Sequence, residues 1–83
     1  MENLVKLCKE NGDVEVVGFK PNEVANYLEG NGYVFNESES RAAFGYSEIT
    51  LVFDGIDGQF EIYVDVGDFE VVLTFIPAME EDF

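Results

Sequence analysis

Carboxylates are the most abundant side chains in this sequence of 83 residues that can take part in catalysis or bind a ligand by charge. Asp and Glu together number 18, against four Lys and Arg, one Cys and no His. Without His, the commonest general base and the commonest zinc ligand are both missing. The chemistry that remains belongs to carboxylates: acid–base catalysis by a pair, coordination of a hard cation, or attraction to cationic groups.

The first two of these chemistries find little support in the spacing of the residues. Catalysis by paired carboxylates needs a walled cleft, and a chain this small has few residues to spare beyond its core. Cys8 lies on the apolar stripe of a predicted helix, which indicates a core residue. The segment 54–58 (Asp-Gly-Ile-Asp-Gly) lacks the spacing and the distal Glu of a calcium loop, and a turn explains it more simply. We therefore expect no enzymatic activity, no cofactor and no bound metal.

Net charge and hydrophobicity together indicate the class of partner. The formal net charge is −14 at pH 7, yet 47% of the residues are apolar, too many for a disordered acidic tail. Such a surface repels nucleic acid and anionic membranes and attracts basic proteins. A lone cysteine, no apolar run long enough to span a membrane and no signal peptide together favour a cytoplasmic location.

Apolar periodicity predicts two short helices in the first part of the chain. Residues 3–11 follow helical spacing, and Gly12 suits the position just after a helix. Pro21 can occupy the first turn of a second helix, which Gly30 or Gly32 would end. A short strand is predicted between the two helices.

Alternation of period two predicts strands from residue 33 onward. We expect a short strand at 33–35, a polar loop at 36–40, a long strand at about 42–53, and a final hairpin of strands over 60–66 and 69–76. Phe44 and Tyr46 occupy even positions, whereas Ile49, Leu51 and Phe53 further along the strand occupy odd positions. This change of parity near Ser47 predicts a bulge at 45–47. Gly67-Asp68 suits a two-residue hairpin turn that pairs Val66 with Phe69.

These elements predict one α+β domain over residues 1–83. Two short helices are expected to pack on one face of a mainly antiparallel sheet of four to five strands, because two layers bury one apolar sheet face. Pro77 should end the last strand, since it cannot donate to a ladder. A short acidic tail is expected over 77–83.

The hairpin register also predicts what the solvent-facing side of the sheet carries. Glu48, Asp65 and Glu70 fall on one rung across three strands, and Tyr63 lies between Thr50 and Val72 on the next. The third rung holds Val52, Glu61 and Thr74. None of the four basic residues falls on these three strands. Neighbouring like charges destabilise a sheet, so this row favours a surface selected for binding.

The sequence therefore predicts a small acidic protein that occupies a basic, nucleic-acid-binding surface of a partner protein. At the level of physical type it is similar to small acidic inhibitors that bind in place of the polyanion. A phage-encoded inhibitor of a host defence nuclease (an anti-CRISPR or anti-restriction protein) is one such interpretation. The predicted contacts are Glu48, Glu61, Tyr63, Asp65, Asp68 and Glu70.

Three alternatives stay open from the residues alone. The chain can be an immunity protein that neutralises a cognate basic toxin nuclease. It can also be a self-associating module with Val52, Tyr63, Val72 and Ile76 as a dimer seam. Finally, the acidic face can serve solubility only. Neither direct binding of nucleic acid nor membrane association is expected, and the protein is either a monomer or a dimer.

Overall fold

The computed structural model describes residues 3–43, 45 and 47–78. Along the chain the elements are α1 (Leu4–Asn11), β1 (Asp13–Glu15), α2 (Pro21–Gly30), β2 (Val34–Ala43), β3 (Glu48–Gly55), β4 (Gly58–Asp65) and β5 (Glu70–Pro77). The five strands form one antiparallel sheet in the order β1-β5-β4-β3-β2. The predicted α+β class is confirmed. Phe44, Tyr46 and residues 79–83 of the predicted tail lie outside the described residues.

Both helices pack on the same face of the sheet, as predicted. Cys8 of α1 and Leu28 of α2 join one buried cluster with Phe60, Ile62 and Leu73 of the sheet. We call the side of the sheet that carries these three residues the inner face. Burying a side chain such as that of Leu28 contributes about 1.5–3 kcal/mol. The thiol of Cys8 donates to the Leu73 carbonyl oxygen at 3.2 Å, and burial raises the pKa of this thiol to about 11. Cys8 is therefore a protonated core residue.

The ends of the helices follow their sequence signals. Gly12 follows α1 with φ +85°, and its N–H donates to the Cys8 carbonyl oxygen at 2.7 Å. Only glycine adopts this backbone conformation without strain. Pro21 opens α2, and the Lys20 N–H is capped by a Glu23 carboxylate oxygen at 3.0 Å. This contact satisfies a backbone donor that has no partner within the helix.

The predicted long strand over 42–53 is wrong, because the chain reverses within it. Residues 34–43 and 48–55 are two antiparallel strands, with Ala43 paired to Glu48. The slip in alternation near Ser47 therefore marks a hairpin and not a bulge. The irregularity in pairing lies earlier, between Asn36 and Arg41 of β2, where a polar loop was expected. A turn and a bulge both shift the side-chain parity, so alternation alone does not distinguish them.

The predicted register of the last hairpin is confirmed, but its turn is longer. Val64 pairs with Val71, Ile62 with Leu73 and Phe60 with Phe75. The last paired residues are Asp65 and Glu70, so residues 66–69 form the turn and Val66 is not paired with Phe69 in the ladder.

The turn between β3 and β4 is tied to the helical layer. The Tyr33 hydroxyl donates to both carboxylate oxygens of Asp57 at 3.0 Å, and the Lys9 ammonium pairs with the same carboxylate. The Lys9 ammonium lowers the pKa of Asp57, and Asp57 in turn raises the pKa of Lys9. Segment 54–58 is thus a hairpin turn fastened to α1.

Gly58 should be required by close approach of the backbone of β5. It has φ +150°, and a Cβ there would lie 2.3 Å from the Ile76 carbonyl oxygen. We expect Gly58→Ala to lower the free energy of unfolding by about 2–4 kcal/mol, through strain and overpacking. Urea denaturation measures this loss.

Gly30→Ala is the matched control. An added Cβ at Gly30 meets nothing within 4 Å, and its φ is not positive. Its stability should stay within about 1 kcal/mol of the unmodified chain. If Gly58→Ala unfolds at the same urea concentration as Gly30→Ala, the close approach of β5 is contradicted.

Candidate functional site

Three carboxylates lie side by side on the outer face, the side of the sheet opposite the helices. Glu48 of β3 pairs with Asp65 of β4, which pairs with Glu70 of β5. We call these three residues the acidic row. Adjacent strands are about 4.8 Å apart, so the row spans roughly two strand spacings. The predicted alignment of the row is confirmed.

The row lacks a compensating base among the described residues. The ion pairs found there are Lys9 with Asp57 and Arg41 with Glu61, and neither includes a member of the row. Two like charges about 5 Å apart repel by roughly 0.8–3 kcal/mol for an effective dielectric of 80 down to 20. Salt moves this value toward its lower end. The acidic row therefore costs stability in the free protein.

Tyr63, on the rung next to the acidic row, is tied to the row by a hydrogen bond. Its hydroxyl donates to the Glu48 Oε1 atom at 2.5 Å. This bond, together with partial desolvation and the neighbouring carboxylates, raises the pKa of Tyr63 to about 12. The side chain is half-buried on the outer face. Tyr63, one of the predicted contacts, is therefore a fixed, neutral phenol whose ring is partly covered.

Asp65 has a structural task as well as a place in the row. Its Oδ1 atom accepts from the Gly67 N–H at 3.0 Å and from the Asp68 N–H at 3.2 Å. These bonds order the start of the turn between β4 and β5. Asp68 itself is exposed in this turn, beside the end of the row.

Glu61 lies away from the row and has a basic neighbour. It pairs with Val52 and Thr74 on the third rung, as predicted. Arg41, on β2, approaches Glu61 Oε1 at 3.8 Å. The three central strands carry no Lys or Arg, but the outer face does, because β2 adds Arg41 to its edge. The negative surface is therefore concentrated at the acidic row.

The other end of the outer face is covered, contrary to expectation. Val52, which the dimer alternative requires to be exposed, is only 1% exposed. Gln59 donates to both Glu39 and Asp54 at 2.7 Å, and Asn36 donates to the same two carboxylates at 2.8 and 2.7 Å. Because Glu39 belongs to β2 and Gln59 to β4, the irregular part of β2 folds across the sheet. This network removes Val52 from the dimer seam considered above.

Two further acids, missed by the sequence reasoning, extend the negative surface on the side of β5. β1 pairs with β5, which brings Asp13 opposite Thr74 and Glu15 opposite Val72. Both acids are exposed, whereas Val14 between them packs against the core. The alternation Asp-Val-Glu carries this signal, but alternation does not show which strand β1 pairs with.

The outer face presents charge and one phenol to solvent. Within the described part of the chain, no group of three or more carboxylate or cysteine side chains is arranged to hold a metal ion. Neither described helix, of eight and ten residues, has the length and apolar character to cross a membrane. What the outer face offers a ligand is a set of carboxylates beside a phenol.

Comparison with protein-family models, with curated proteins and with solved structures finds no match to this chain.

The hydrogen bond from Tyr63 to Glu48 should be visible in an alkaline titration. We expect Tyr63, isolated as the difference between the unmodified chain and Tyr63→Phe, to ionise near pH 12, its raised pKa. Glu48→Gln should bring that pKa closer to the ordinary value of about 10. Tyrosinate absorbance measures both.

The sign of the linked stability follows from this raised pKa. The stabilisation is fully present below about pH 10 and is lost as the pH rises through the folded value. Tyr63→Phe lacks this contribution at every pH, so its free energy of unfolding should fall less between about pH 10 and pH 12 than that of the unmodified chain. A Tyr63 that ionises at its ordinary pKa would contradict the hydrogen bond.

Proposed function

We propose that the outer face is a protein-binding surface that occupies the nucleic-acid-binding site of a basic partner. The protein would act by binding and not by catalysis, as an inhibitor of a nuclease or of another protein that handles nucleic acid. The cytoplasm, where the lone thiol of Cys8 stays reduced, is its proposed location.

The acidic row is the observation that carries this proposal. Glu48, Asp65 and Glu70 repel one another in the free protein, and no ion pair among the described residues relieves the repulsion. Lys and Arg side chains of a partner would convert this unfavourable energy into favourable contact. A surface that served solubility alone would not need its charges on one rung.

The spacing of the row supports mimicry of a polyanion. B-DNA carries one negative charge per about 1.7 Å of its axis, counting both strands. Carboxylates about 4.8 Å apart across strands can meet several cationic side chains that otherwise contact phosphates. Asp13 and Glu15 continue the negative surface beyond β5.

The proposed contacts differ in what they contribute. The acidic row and the exposed Asp68 supply charge at one end of the sheet. Tyr63 supplies a rigid phenol, because its hydroxyl is already bound to Glu48. Glu61 contributes less, since Arg41 is close to its carboxylate. Association steered by such a surface weakens steeply with added salt.

The binding test uses a panel of purified basic nucleases with duplex DNA as competitor. We expect the protein to compete with DNA for at least one of them, and the affinity to fall steeply between about 50 and 200 mM salt. Glu48→Gln, Asp65→Asn and Glu70→Gln should each weaken binding about 3- to 10-fold.

Glu29→Gln provides the matched control, because it removes the same charge from the exposed surface of α2. It should leave the affinity within about twofold of the unmodified chain. Equal losses for Glu29→Gln and the row variants would mean that net charge alone drives binding. Binding that does not respond to salt would contradict the proposal.

The same three variants test the energetic argument in the free protein. We expect the melting temperature of each to rise or stay unchanged, because removing one charge relieves repulsion while Gln and Asn still accept hydrogen bonds. Thermal unfolding at low salt measures this. A clear loss of stability in all three would show that the carboxylates are individually needed by the fold.

A further inference from the structure

An apolar groove lies at the same end of the sheet as the acidic row. It has a volume of about 390 Å³ and runs between the start of α2 and the turn that joins β4 to β5. Its apolar lining is Phe19, Pro21, Val64, Val66, Phe69 and Val71. The charged residues that line it are Lys20, Glu23 and Asp65. The member of the acidic row that the groove shares is Asp65.

Phe69 is the unusual residue of this groove. It is 88% exposed, and it has φ +54° in the left-handed region. Turn positions with positive φ favour Gly, Asn or Asp, because a Cβ atom there is strained. Both the backbone and the solvent therefore disfavour phenylalanine at this position. Strain retained in this way is typical of binding sites.

The charges around the groove indicate what can occupy it. Asp68 precedes Phe69 in the turn, Glu70 follows it, and Asp65 and Glu23 line the groove, so these acids outnumber Lys20, the base that lines it. Nucleic acid and anionic lipid would be repelled by these carboxylates, and a second copy of the chain would bring the same charges. A cationic segment is attracted, and an apolar side chain within that segment can fill the groove.

We propose that this groove receives one aromatic or long aliphatic side chain of the basic partner, while flanking Lys or Arg residues contact Asp65, Asp68 and Glu70. The inference rests on the proposed function and adds to it an anchor that selects among basic partners. Charge attracts many basic surfaces, whereas the groove favours those that present an apolar residue beside their charges.

The test compares two synthetic peptides with the full chain. One is a run of Lys and Arg with a single central Phe, and the other has Ala in place of that Phe. We expect the Phe peptide to bind at least about fivefold more tightly, since burying a large apolar side chain favours it. Amide chemical shifts should change at Phe19, Val66 and Phe69.

Phe69→Asn and a control variant then test whether the difference in affinity between the two peptides arises from the groove. Asn tolerates positive φ, so Phe69→Asn should melt no lower than the unmodified chain and remain folded. In this variant the two peptides should bind with about equal affinity. Ile56→Asn replaces another exposed apolar turn residue, at the opposite end of the sheet, and should keep the preference for the Phe peptide.

The possible results separate the two proposals. Equal affinity of both peptides for the unmodified chain would overturn the proposal for the groove. It would not contradict the proposal that the acidic face binds a basic partner. A Phe preference that survives Phe69→Asn would also overturn the proposal for the groove. If the unmodified chain binds neither peptide at low salt, the result would count against the acidic face as well. A dimer abolished by Phe69→Asn would assign the groove to a second copy instead.

Discussion

The pairing of β3, β4 and β5 is the constraint on which the rest of the structure depends. Ile62 opposite Leu73 and Val64 opposite Val71 give the inner face an apolar surface, and both helices cover it. A slip of one residue would turn this surface toward solvent, so burial strongly selects one register. Because side chains alternate, that register also decides which side chains appear on the outer face.

The acidic row is therefore held in place by apolar contacts on the other side of the sheet. Asp65 follows Val64 in β4, and Glu70 precedes Val71 in β5, so the buried residues dictate where these carboxylates stand. The protein tolerates their repulsion because the inner face makes any other alignment worse. This coupling explains how a small domain can hold a rigid, unfavourable arrangement of charges on its surface.

The two ends of the outer face differ because residues of β2 cover one of them and not the other. At one end, amides of Asn36 and Gln59 bridge the carboxylates of Glu39 and Asp54, and the negative charge is satisfied within the molecule. At the other end the acidic row has Tyr63 as a hydrogen-bond donor but no base among the described residues. Within β3, β4 and β5, the carboxylates that have neither a base nor a side-chain amide beside them are thus those of the acidic row, at the end that also carries the apolar groove.

The sequence by itself determined the features that depend on neighbours close in the chain. Helical spacing, Gly12 and Pro21 placed both helices, and alternation in β3, β4 and β5 placed the acidic row, since a hairpin register follows from local pattern. Tertiary structure decided the chain reversal at 43–48, the addition of β1 beside β5, and the covering of Val52. These depend on which distant strand supplies hydrogen bonds and on where an irregular segment folds, and side-chain parity carries neither kind of information.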